Sequence, residues 1–161
     1  MKALFIIILA FSTNIIFTQT DSAKYLKKVK SIDAIIETLY SVISGEKEEE
    51  RDWDLFRYLY KDGAHMIPSG QSKDGSYKSK YMTPEDYIEG SGKWLLENGF
   101  FENEIHRVVQ QFGNIAHVFS TYECFHSKKD KEPFMRGINS IQLMYDNERW
   151  WVIIIYWAQE T

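Results

Sequence analysis

The chain has 161 residues, of which 44% are hydrophobic and 16% aromatic, with a formal charge of −4 and a single cysteine. The mild negative balance supports solubility and lacks the basic stripe that nucleic-acid binding requires. One cysteine allows no internal disulfide, so the fold rests on its core alone.

The N-terminus has the layout of a secretory signal peptide. Met1-Lys2 supplies a short positive start, residues 3–17 are apolar apart from Ser12, Thr13 and Asn14, and a polar run follows over 18–22. The apolar part, about 15 residues long, is short for a stable membrane span. Residues 1–20 are therefore read as a signal peptide of a secreted or periplasmic protein, with no stable membrane span after cleavage. Residues 21–30 are read as a charged lead-in, and 31–161 have the size of one domain.

From Ser31 onward, Ile32, Ile35, Ile36, Leu39, Tyr40 and Ile43 recur at helical spacing and predict a first helix ended by Gly45. Residues 46–51 read as a charged loop. Asp52 caps a second helix with Trp53, Phe56, Leu59 and Tyr60 as its buried stripe, stopped by Asp62-Gly63. Residues 65–68 read as a short strand, and 69–80 as a polar loop, mobile or serving as a lid. Thr83-Pro84-Glu85-Asp86 starts a third helix, because Thr caps, Pro suits the first position and acids favour the positive end of the dipole. Beyond Gly99 the hydrophobic period switches to two. Strands are expected over 101–112, 114–127, 134–146 and 149–158, joined as a consecutive antiparallel meander. Helices first and a long meander last predict an α+β domain.

This order of elements resembles the nuclear-transport-factor-2-like superfamily. The strings at 31–68 (SIDAIIETLYSVISG…RDWDLFRYLYKDGAHMIP), 113–123 (GNIAHVFSTYE) and 136–157 (RGINSIQLMYDNERWWVIIIYW) look like an exported bacterial SnoaL-like subgroup of unassigned function. The resemblance implies three N-terminal helices packed on a curved antiparallel sheet that encloses a conical pocket. It does not name a reaction, since superfamily members include isomerases, dehydratases, cyclases, hydrolases and non-catalytic modules.

Strand parity nominates site residues, because alternate side chains face opposite sides. Ala116, Val118, Ser120, Tyr122 and Cys124 share a face, which the resemblance directs into the cone. Asn139 shares a face with Ile141, Leu143 and Tyr145. On the last strand, Trp151, Ile153, Ile155 and Trp157 oppose Trp150, Val152, Ile154 and Tyr156, with one set expected over the pocket and the other in a homodimer interface. Tyr122, Asn139 and Trp157 become the candidate ligand-binding groups. Glu102, Glu104 and His106 fall on one face, and Glu104 with His106 forms the candidate catalytic acid/base pair, which requires both to converge on the cavity. Cys124 reads as a buried small hydrophobe, and Arg136 is placed to pair with Glu123 across the sheet. His65, His117 and His126 lack ligand spacing, so no metal is expected, and no phosphate loop or nucleophile elbow suggests a cofactor.

Three functions remain open: a module binding a small apolar or aromatic ligand, a cofactor-free acid/base enzyme of the ketosteroid-isomerase or dehydratase kind, and a homodimerising structural module. An ionisable group buried in the cavity would separate the second from the others.

Overall fold

The computed structural model describes residues 24–160; the signal-peptide reading of 1–20 lies outside the described residues. The described part of the lead-in packs onto the domain. It forms a 3-10 turn, Leu26–Val29, that buries Val29 and leaves the Lys28 carbonyl to accept from the Thr38 hydroxyl at 3.0 Å.

Helix α1 spans Ile32–Ile43 and starts where Ser31 Oγ accepts from the Ala34 amide. Its apolar stripe buries Ile35, Ile36, Leu39 and Tyr40 against the sheet. Each such aliphatic side chain contributes roughly 1.5–3 kcal/mol on removal from water. Helix α2, Trp53–Leu59, begins at Asp52, whose carboxylate accepts from the Leu55 amide and also from the Tyr25 hydroxyl. Helix α3, Pro84–Asn98, has a reciprocal cap: Asp86 N–H donates to Thr83 Oγ1, and Thr83 N–H donates to the Asp86 carboxylate.

Six strands form one curved sheet in the order β2-β1-β6-β5-β4-β3. They are β1 Tyr60–Gln71, β2 Tyr77–Ser79, β3 Phe101–Phe112, β4 Ile115–Phe125, β5 Met135–Tyr145 and β6 Trp150–Gln159. The last four form the expected antiparallel meander, while β1 pairs with β6 in parallel. The α+β reading, three helices on a curved sheet, holds.

Four local expectations are corrected. The second helix stops at Leu59 rather than at Asp62-Gly63, because Tyr60 already pairs with Val152 of β6. The strand expected at 65–68 is the longer β1, interrupted between Tyr60 and His65 where Gly63 adopts a φ of +80°. The polar segment 69–80 is not a free loop: Ser69, Gly70 and Gln71 pair with β2 as an edge hairpin. The parity of β3 and β6 also changes part-way. The register slips between Glu104 and His106 in β3, and β6 slips opposite the step from Gln142 to Leu143. In β6, Trp150 and Val152 are buried before the slip and Ile155 after it, so neither expected alternating set survives intact.

Candidate functional site

The helices cover one end of the concave sheet face and leave a cavity of about 240 Å3. Its walls are largely aromatic. Phe56 comes from α2, Tyr60 from β1, Tyr87 and Trp94 from α3, Tyr122 from β4 and Trp157 from β6. Trp94 is also 44% exposed, which puts it at the rim. Opposite Tyr122 stands Gly137, where any side chain would meet the Tyr122 ring; its hydroxyl lies 2.5 Å from where a Cβ would sit. Glycine at that position lets the phenol lie across β5.

Among the described residues, Glu102, from the start of β3, is the only carboxylic or cationic side chain lining this cavity. Burial pushes its carboxyl up to about 7, opposed by one hydrogen bond, from Asn139 Nδ2 to Oε1 at 3.0 Å. The same burial pushes the hydroxyls of Tyr60, Tyr87 and Tyr122 above the ordinary phenol range. The Tyr60 hydroxyl is fully buried with no hydrogen-bond partner among the described residues. An unsatisfied buried donor beside an apolar cavity is costly unless something fills the cavity and accepts from it.

Behind this wall, between α1 and β3, a second cleft of about 670 Å3 opens to solvent, and Tyr40 and Glu102 line both spaces. A chain of hydrogen bonds joins them. Asn139 Nδ2 donates to the Tyr40 hydroxyl oxygen at 3.1 Å, Tyr40 and Ser120 are 2.7 Å apart, and Ser120 Oγ donates to Glu104 Oε1 at 2.5 Å. Glu104 pairs with Arg107 at 2.8 Å, and Arg107 with Asp33 of α1 at 3.0 Å. Among the described residues no three His, Cys, Asp or Glu side chains gather in a group able to hold a metal ion.

The three ligand-binding candidates, Tyr122, Asn139 and Trp157, are brought together: all line the cavity, with Asn139 opposite Trp157 in register. The acid/base pair is not. Glu102 and Glu104 oppose Cys124 and Tyr122, on the concave side, but the bulge at Ile105 sets His106 opposite Thr121, and His106 is exposed. One extra residue in a strand flips every later side chain to the other face. The expectation that Glu104 and His106 share a face is therefore corrected, and Glu104 opens on the outer cleft instead of the cone. Sequence parity had Glu102 on the same face as Glu104 but did not single it out. Its signal was the apolar aromatic pair Phe100-Phe101 immediately before it, both buried. In the sequence Tyr40 is legible only as part of a helix stripe. Cys124 is buried, its thiol pushed up by desolvation, and Arg136 pairs with Glu123.

No protein-family model matches the chain, and no curated protein matches it. Solved structures do. A nuclear-transport-factor-2-like protein of unknown function from Pseudomonas putida is 14% identical, with 79% of this chain and 82% of that one covered at a TM-score of 0.59. Another from Silicibacter pomeroyi is 12% identical over 86% of this chain and 98% of that one, at 0.56. The chain has the nuclear-transport-factor-2-like fold. A Parabacteroides distasonis protein named as a candidate ketosteroid isomerase shares this fold with the chain, at 12% identity over 84% and 97% of the two chains and a TM-score of 0.55. At these identities the nuclear-transport-factor-2-like architecture is what is common, and the chemistry must be argued from the cavity.

Proposed function

We propose that this protein is exported, that it binds a small, largely apolar or aromatic molecule in the cone, and that Glu102 exchanges a proton with it by cofactor-free acid/base chemistry. The observation that carries the reading is a solitary carboxyl, its proton affinity raised to about 7, in an aromatic cavity. A group half-ionised near neutrality serves as acid or base, which is what proton transfer asks for. The phenols of Tyr60, Tyr87 and Tyr122 supply donors for an oxygen on the bound molecule. At about 240 Å3 the cavity exceeds the roughly 150 Å3 engineered void that holds benzene, so a molecule of one or two rings fits.

The test is deuterium uptake from heavy water by a panel of small ring ketones, followed by NMR. Exchange is expected next to the carbonyl, rising with pH through a midpoint near 7, and falling at least about 100-fold in Glu102→Gln. Compounds that raise the melting temperature of both proteins but exchange with neither would reduce the site to a binding pocket.

A second reading concerns the opposite side of the sheet. Val108, Phe112, Ile115, Phe119 and Tyr156 are all exposed there, Phe112 by 84%. Contiguous apolar side chains on one sheet face favour self-association of two copies about a two-fold axis.

A further inference from the structure

We propose that Glu104 is a positioning residue for the cone carboxyl: from the outer cleft it fixes, through Ser120, Tyr40 and Asn139, which atoms of the Asn139 amide face Glu102. Its functional meaning rests on Glu102 being the reacting group, while the coupling itself is independent of any reaction.

The directions along the chain are forced one after another. A carboxylate in an ion pair only accepts, so the Ser120 hydroxyl donates to Glu104. Ser120 Oγ, its single donor used, accepts from the Tyr40 hydroxyl at 2.7 Å. Tyr40, its donor used in turn, accepts from Asn139 Nδ2 at 3.1 Å. The second hydrogen on that nitrogen goes to Glu102 Oε1. With the first link cut, only Glu102 itself holds the Asn139 nitrogen, and the amide is free to turn its carbonyl toward the protonated carboxyl instead.

The orientation matters because little else faces Glu102 with a favourable charge. Tyr40 from α1, Tyr60 from β1, Tyr87 from α3, and Tyr122 with Cys124 from β4 surround it in the cone, none of them cationic, while Arg107 and Lys128 share only the outer cleft with it, beside the acids Asp33, Glu37, Glu49 and Glu104. Asn139, from β5, is the one neighbour among the described residues that donates a hydrogen bond to the carboxylate and so opposes the effect of burial. Ser120, Tyr40 and Asn139 are themselves buried, so water does not substitute for a lost partner. The anchor lies outside: Arg107 grips Glu104 and is itself held by Asp33 across the cleft.

The test follows the Glu102 carboxyl carbon by NMR through a pH titration of the folded chain. Ser120→Ala leaves the Glu104 charge in place and cuts the chain. Its Glu102 midpoint is expected to rise by about one pH unit, and Ser120→Thr to restore it. In an Asn139→Ala background, Ser120→Ala is expected to move the midpoint no further. A midpoint that stays put or falls in Ser120→Ala, or a shift that persists undiminished without Asn139, overturns the proposal. If Ser120→Ala fails to fold, Tyr40→Phe keeps the ring, cuts the same chain one link later and is read the same way. Loss of proton transfer in Glu102→Gln without these shifts sinks the coupling and leaves the acid/base reading standing. The shifts without proton transfer in the wild type do the reverse.

Discussion

Glu102 and Glu104 sit two positions apart on one strand and face the same side, yet Glu102 reaches into the cone while Glu104 lines only the outer cleft. Glu104 has a hydroxyl donor and a guanidinium within 2.8 Å, and its partner Arg107 reaches on to Asp33. Glu102 has one amide hydrogen and aromatic walls. The same side chain is therefore one half of an ion pair in one place and a carboxyl of raised proton affinity in the other. Company, not residue type, decides the role, because desolvation without a counter-charge is what lifts a carboxyl.

Changing each acid's surroundings would break or sharpen that contrast. The largest effect on folding is expected at Glu102. Its folded value of about 7 lies above its ordinary 4.5, so the folded state holds the proton more tightly than the unfolded chain. Stability should fall as pH rises from about 4.5 to 7 and level off beyond. Glu102→Gln removes that loss: above pH 7 it should be the more stable protein, by up to about 3 kcal/mol, with the gap closing in acid. Urea melts across the pH range would show it, and a gap independent of pH would mean that the carboxyl is not held in a desolvated state.

Arg107→Ala should cost less, about 1 kcal/mol, because both partners retain some solvent. Added salt should reduce that penalty but leave the Glu102→Gln difference largely intact, since a buried group is weakly screened. The smallest effect on monomer folding, within about 0.5 kcal/mol, is expected for Phe119→Lys on the convex face. Its consequence should appear in sedimentation at micromolar concentration, where the wild type is expected to run as a dimer and the variant as a monomer. A monomeric wild type would remove the second reading without touching the cone.

Much of this architecture is legible in the chain itself. The caps at Ser31, Asp52 and Thr83 bind where their side chains must, and strand β4 keeps its parity from Ala116 to Cys124. What escaped has a common cause. The bulge at Ile105 replaces one pairing step, and no glycine or proline marks it. The slip in β6 is equally unmarked, amid Ile153, Ile154 and Ile155. Register is a relation between two strands, so one strand read alone shows a smooth alternation through both slips. The parallel pairing of β1 with β6 joins segments about ninety residues apart, for which local periodicity has no signal. Tyr122 and Asn139 are legible because their strands run without an extra residue, and Trp157 because it lies wholly beyond the β6 slip with Ile155; Glu104 and His106 fall on either side of a slip.

Arg51 carries a consequence for how the molecule assembles. Its buried guanidinium donates to the carbonyls of Ile43 and Gly45, where α1 ends, and to that of Leu95 in the last turn of α3. Gly45 must lack a side chain, since a Cβ there would collide with the guanidinium. The two helix ends thus share one cation, and beside it the Glu48 amide donates to the Leu96 carbonyl at 2.7 Å. Their amides should exchange with solvent as a single cooperative unit, opening together and closing together.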